Sequence, residues 1–166
     1  ERYVPKEGRI LDCGCGHGLF SNFLAIKSDK RYVLGTDINK HKLAVAKSSI
    51  LGRKNIEFSL GDLKDYSNAA GIRCVILMDA LYFLPRVKKE NLLKNIYNTL
   101  PSGGQLIIKT VQKSPRWKYY LAVFHVTIVD NLIHRGFEGN TYFLKKEEYC
   151  SLLKSVGFNV DFKDIS

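Results

Sequence analysis

Ile10-Leu11-Asp12-Cys13-Gly14-Cys15-Gly16-His17-Gly18 is the stretch that decides the fold. A short apolar run, Arg9–Cys13, meets three alternating glycines, and helical periodicity begins at once with Leu19, Phe20, Phe23, Leu24 and Ile26. Strand, glycine turn and helix in direct succession describe the first unit of a parallel α/β sheet. Glycines at such a turn permit positive φ and let a ligand press on the backbone, with a helix N-terminus behind it. The spacing also discriminates between ligands. A nicotinamide or flavin fingerprint reads G-x-G-x-x-G; counted from Gly14, its third glycine falls on Leu19. The form present is D-x-G-x-G-x-G, and no Lys or Arg lies between Leu11 and Ala25, where phosphate-binding loops usually carry one.

Outward from this turn the alternation continues. Tyr32–Thr36 reads as a strand closing at Asp37-Ile38-Asn39, His41–Leu51 as a helix, and Ile56–Leu60 as a strand ending at Gly61-Asp62. Cys74–Met78 is a continuous apolar run ending at Asp79, and Val87–Leu100 is an amphipathic helix. The turn Pro101-Ser102-Gly103-Gly104 leads into a fifth strand, Gln105–Thr110. Apolar strands alternating with helices predict an α/β, doubly wound, mainly parallel sheet with helices on both faces. Right-handed crossovers then bring the C-terminal ends of the strands to one edge, where ligands bind. Beyond the fifth strand, Lys113–Arg116 is basic, Trp117–Arg135 reads as an unusually apolar helix, and Arg135–Tyr142 as a loop. Lys145–Val156 reads as a helix and Asn159–Phe162 as a last strand. No linker divides the chain, so one domain over 1–166 is expected, with an insert at about 113–142.

Composition narrows the class. Among 166 residues, 45% are hydrophobic and 25% charged, which excludes disordered and collagen-like chains. No apolar run approaches the roughly 18–20 residues of a membrane span, and no signal peptide pattern is visible. Cys13, Cys15, Cys74 and Cys150 fit neither a disulfide framework nor a C-x-x-C motif, so a reducing, cytoplasmic setting and no metal site are expected. The net charge of +10 points to anionic partners but says nothing about fold.

The glycine turn resembles motif I of the class I S-adenosylmethionine-dependent methyltransferases, the Rossmann-like fold, and the likeness continues along the chain. Asp37 stands where the family places an acid on the ribose hydroxyls, with Ile38 beside it. Gly61-Asp62-Leu63 resembles the element that holds the adenine. Met78-Asp79-Ala80-Leu81-Tyr82-Phe83-Leu84-Pro85 resembles motif IV, and Leu100-Pro101-Ser102-Gly103-Gly104-Gln105-Leu106 the L-x-x-G-G-x-L segment before strand five. The resemblance implies S-adenosyl-L-methionine as cofactor and S-adenosyl-L-homocysteine as product. It assigns Asp12, Gly14, Cys15, Gly16, Gly18, Asp37, Ile38, Asp62, Leu63 and Asp79 to the cofactor. Some of these carboxylates have a structural alternative. Asp37 could instead only cap the helix that follows, Asp62 likewise, and Asp12 could bond the backbone of its own turn. Relative to the family, the chain begins almost at strand one and stops at strand six, so truncation at both ends is expected.

For the acceptor, the segment Leu81–Pro85 replaces an N-P-P-Y tetrapeptide and resembles the small-molecule branch of the family (methyltransferase type 11/12-like). The expected acceptor is a small, partly apolar metabolite or lipid-like molecule, methylated on O, N or C. Tyr82, Lys109, His125 and His134 are the candidates on the acceptor side. The apolar helix 117–135 could meet that acceptor, an anionic membrane surface or a second copy in a homodimer. An RNA ribose 2′-O-methyltransferase is the rival reading, with Asp79 and Lys109 as two members of its catalytic set. Scattered lysines rank nucleic acid below a metabolite. A cofactor-binding domain without catalysis is the third.

Overall fold

A computed structural model describes residues 1–61, 71–110 and 141–163 of the chain. The chain divides into two compact units, Glu1–Ala80 with Lys94–Lys109, and Leu81–Leu93 with Thr110–Ser166.

The first unit contains the whole described sheet: β1 (Gly8–Cys13), β2 (Arg31–Asp37), β3 (Ile56–Leu60), β4 (Ile72–Met78) and β5 (Gln105–Lys109). All pairings are parallel, in the order β3-β2-β1-β4-β5. The chain therefore winds outward from β1 to β3, returns to the other side of β1, and continues to β5. The reversal puts a crevice between the C-terminal ends of β1 and β4, the place where open α/β sheets bind ligands. Register sets what faces that crevice. Cys13 lies opposite Thr36 and Leu77, so the glycine turn, Asp37 and Met78-Asp79 leave the sheet at the same level.

The central strands β1 and β4 are buried on both faces, which explains their continuous apolar runs. Ile10, Val33, Ile56, Phe58, Cys74 and Ile76 pack with Leu24 and Ala25 of α1 (Leu19–Lys27) and with Leu43 and Ala46 of α2 (Lys40–Ser48). The alternate residues Leu11, Cys13, Val75 and Leu77 are buried on the other face. Right-handed crossovers assign α1 and α2 to one face, and a further connection joins β4 to β5. That connection contains α3 (Arg86–Thr99), whose second half, from Lys94, belongs to the first unit.

Local chemistry sets the element ends. Asn39 caps α2, its Oδ1 accepting from the amides of His41 and Lys42. Arg31 is buried at the start of β2, where its guanidinium donates to the carbonyls of Val4, Pro5 and Leu24 and to Glu1. In the second unit, α4 (Lys146–Val156) begins where the Glu148 carboxylate accepts from the Lys145 amide. It ends at Gly157, with the Phe158 amide closing back on the Leu153 carbonyl. The strand expected at Asn159–Phe162 is absent: no described strand pairs with it, and residue preference without a ladder partner does not make a strand. Among the described residues no helix is long and apolar enough to cross a membrane.

Phe58 forms the floor under the glycine turn. A Cβ added at Gly35 would meet two atoms of its ring at 2.5 Å and the Ser21 hydroxyl at 3.0 Å. A Cβ at Gly18 would meet the same ring at 2.5 Å. Gly35→Ala has no φ penalty to explain a loss, so its effect isolates this packing. Overpacking of this kind costs about 2 kcal/mol, which for a domain of this size is a fall of roughly 4–8 °C in melting temperature. Adding Phe58→Leu to Gly35→Ala is expected to recover part of it. Thermal unfolding with no change in Gly35→Ala would contradict this reading of the floor.

Candidate active site

The site is built on the C-terminal edge of the sheet. Thr36, the last β2 residue paired to β1, offers its carbonyl to the amides of both Gly14 and Cys15, at 2.8 and 2.9 Å. One residue later Asp37 takes over. Its Oδ2 accepts from the Gly16 amide at 2.8 Å, and its Oδ1 from the Asn39 amide at 2.8 Å. The carboxylate thus ties the first loop of the fold to the second. Asp37 is not the cap of α2; Asn39 is. A carboxylate has about four lone-pair directions, so Asp37 retains acceptor capacity after these two bonds. Ile38 beside it is 70% exposed, an apolar surface next to a half-buried carboxylate.

The three glycines of the turn all have positive φ and differ in surroundings. Gly18, the residue before α1, is buried against Phe58 and Ala46. Gly14 would bring a Cβ to 3.1 Å from Ala80. At Gly16 nothing lies within 4 Å of that position, so the one glycine amide bound by Asp37 borders open space. A cleft of about 210 Å³ opens beside the turn, lined by Asp12, Gly14, Cys15, His17, Leu19, Phe20 and Met78.

Asp12 is 2% exposed, and its Oδ2 accepts from the Ser21 hydroxyl of α1 at 2.6 Å; its bond is to this side chain rather than to the turn's backbone. Burial pushes its carboxyl up from 3.8 to about 6, against the opposing hydrogen bond from Ser21 and with a contribution from Asp37. Burial likewise pushes the Cys13 thiol up to about 12 and the Cys15 thiol higher still, so both are inert thiols at neutral pH.

Asp79, just past β4, adopts φ 54, a left-handed backbone that Asp tolerates better than most residues. Its amide donates to the Lys109 carbonyl at 2.8 Å, and its Oδ2 pairs with the Lys109 ammonium. Its buried Oδ1 has no hydrogen-bond partner among the described residues. An unpartnered buried carboxylate oxygen is an acceptor waiting for a donor. Among the described residues, no group of His, Cys, Asp and Glu could hold a metal ion.

The remaining sequence candidates divide three ways. Tyr82, in the second unit, is 6% exposed on the short 3-10 turn Leu81–Phe83, its ring stacked on Phe143 with centroids 4.8 Å apart. Lys109 is half exposed and engaged by Asp79. Asp62, Leu63, His125, His134 and the apolar segment 117–135 lie outside the described residues. Ser21, Asn39 and Phe58 organise the site without being legible in any motif. Only the S/N positions at helix starts and the apolar strand pattern hint at them.

Comparison with known proteins places these features. A family model described as "Methyltransferase domain" matches residues 10–104, more than half of the chain. The chain is similar to the ubiquinone biosynthesis O-methyltransferase of Aeromonas salmonicida, with 24% identity over 156 residues, covering 92% of this chain and 63% of that protein. Its fold is similar to a putative O-methyltransferase from Nostoc punctiforme, with TM-score 0.76 and 22% identity over 96% of this chain and 48% of that one. Human N-acetylserotonin methyltransferase in complex with SAM aligns with TM-score 0.72 and 20% identity, covering 94% of this chain and 44% of that one. The chain thus spans well under two thirds of several of these proteins' lengths.

Asp12 generates a pH prediction. Its folded pKa lies above its unfolded value, so the folded protein holds this proton more tightly. Its contribution to stability is present below about pH 4 and is lost as pH rises through about 6. The loss is on the order of 3 kcal/mol. Asp12→Asn keeps an acceptor for Ser21 and removes the titration. Urea unfolding from pH 4 to 7 is expected to show a flatter stability profile in the variant. Parallel profiles would contradict the assignment.

Proposed function

Because the chain belongs to the methyltransferase-domain family, we propose that it transfers a methyl group from S-adenosylmethionine to a hydroxyl of a small, partly apolar metabolite or lipid-like acceptor. The observation that carries this is the Asp37–Gly16 bond at the open edge of a glycine turn without Lys or Arg. A phosphate would need positive charge there; a nucleoside with a cationic sulfonium needs the reverse.

The residues present fit that cofactor. Asp37, with acceptor capacity left over, is suited to the two hydroxyls of a ribose, and exposed Ile38 to the flat face of an adenine. Asp79 offers its unpartnered Oδ1 to an ammonium. Gly16 leaves the room that a side chain would fill. Asp37 and Asp79 bring carboxylates to the edge, which favours a cation over an anion. When bound, the cofactor supplies an already activated methyl group. The protein's own task is then to align the acceptor and exclude water.

The relatives named O-methyltransferases support an oxygen acceptor. Loss of a hydroxyl proton needs a base, and His17 lines the cleft beside the glycine turn. One observation favours the ribose-methylating reading, namely the Asp79–Lys109 pair itself. Lys109→Ala separates the two. It is expected to leave much of the transfer to an alkyl catechol intact, whereas ribose methylation would be abolished.

Calorimetric titration with S-adenosylhomocysteine tests the cofactor assignment. Asp37→Ala removes charge-assisted bonds worth about 1.5–3 kcal/mol each, so a loss of affinity of at least about tenfold is expected. Undiminished binding in the variant, or none in the unaltered chain, would overturn the assignment.

A further inference from the structure

Lys89 is 0% exposed, although an ammonium is among the costliest groups to bury. The helical spacing of α3 puts it on the same face as Leu92, Leu93 and Ile96, where an apolar residue would pack without that cost. Among the described residues no carboxylate closes an ion pair with it. Its Nζ instead donates to the main-chain carbonyl of Tyr142. The amide of the same Tyr142 donates to the Tyr82 carbonyl at 2.7 Å. The next residue, Phe143, is 6% exposed and stacks on the Tyr82 ring, with centroids 4.8 Å apart and planes 20° from parallel. Tyr142 is therefore held at both its polar backbone groups, by Lys89 on one side and by the Tyr82 turn on the other. Lys89, Tyr142, Phe143 and Tyr82 all belong to the second unit.

We propose that Lys89 is a positioning residue: by holding the Tyr142 carbonyl it clamps Tyr142-Phe143 onto the Leu81–Phe83 turn and fixes the Tyr82 ring for acceptor binding. The clamp is a matter of geometry. Its consequence for the acceptor rests on the proposed function together with the sequence reading of Tyr82, three residues after Asp79 in the chain, as an acceptor-side candidate. The pairing also accounts for a cation at this position. Burial lowers the ammonium's pKa to about 8 while Glu148 of α4 acts to raise it, so the group remains largely protonated at neutral pH. A protonated amine gives a main-chain carbonyl a stronger donor than any neutral side chain of that length.

The test compares the unaltered chain with Lys89→Met, Lys89→Arg and Phe143→Leu. In Lys89→Met, hydrogen exchange at the Tyr142 amide is expected to quicken about tenfold or more, while exchange at the Tyr149 amide in α4 and S-adenosylhomocysteine affinity stay as they were. With an alkyl catechol as acceptor, KM should rise about tenfold with kcat largely kept, since the loss is of acceptor positioning. Lys89→Arg, which keeps the cation, should restore both readouts at least in part. Phe143→Leu keeps the ammonium and removes the stack; it should raise KM in the same direction, and it decides the matter if Lys89→Met fails to fold. Unchanged Tyr142 exchange and unchanged KM in Lys89→Met, or unchanged KM in Phe143→Leu, would overturn the proposal. No transfer by the unaltered chain would count against the proposed function instead, and exchange at Tyr142 would then judge the clamp by itself.

Discussion

The carboxylate of Asp37 is the constraint on which the rest of the site depends. One oxygen holds the Gly16 amide and the other the Asn39 amide, so a single side chain sets the loop after β1 relative to the loop after β2. Both loops leave a parallel pair whose register is fixed from Gly8↔Arg31 to Cys13↔Thr36. The Thr36 carbonyl continues that ladder into the turn by binding Gly14 and Cys15. By the time the chain reaches Gly16, three successive amides have been positioned by hydrogen bonds to β2 and its end, and the Gly18 amide then closes the turn on the Cys15 carbonyl at 2.9 Å. The glycines supply the positive φ values this path needs, and Phe58 supplies the floor on which it rests.

The charge of the protein reads differently from this edge. A net +10 invites an anionic ligand, yet the carboxylates of Asp12, Asp37 and Asp79 gather where the strands end. Asp12 is uncharged more easily than an ordinary carboxylate because it is buried. Asp79 is engaged on one oxygen by Lys109 and unpartnered on the other. The three acids thus differ in burial and in partners, and carboxylates gathered at one edge favour a cationic ligand over an anionic one. The basic residues Lys30, Arg53 and Lys54 line a separate open pocket beside the start of β2, shared with Asp29. Net charge therefore describes the surface as a whole and not the ligand edge.

Much of this was legible in the sequence. The D-x-G-x-G-x-G spacing, the acids at the ends of β2 and β4, and the alternation of apolar strands with helices are local patterns, and these elements lie within a residue or two of their expected bounds except α2, which ends at Ser48, three residues short of the expected Leu51. What escaped the sequence is what depends on tertiary partners. Asp37 and Asn39 are both plausible caps for α2 by residue type, and only the path of the chain selects Asn39. Asn159–Phe162 has the composition of a strand, but no described strand pairs with it. Gly35 looks like an ordinary strand residue until Phe58 is placed 2.5 Å from its missing Cβ. Lys89 belongs to no motif, although its spacing to Leu92 and Leu93 already sets it on the apolar face where it is buried.

The central claim is that the open side of the Gly16–Asp37 junction receives the nucleoside of S-adenosylmethionine. Its most direct test is an amide nuclear magnetic resonance titration of the unaltered chain with S-adenosylhomocysteine. The account predicts saturable shifts at Gly14, Gly16, Ile38 and Asp79, with Lys30 and Lys54 at the other pocket unmoved. Shifts confined to Lys30 and Lys54, or a saturating ligand that leaves Gly16 and Ile38 unperturbed, would contradict it.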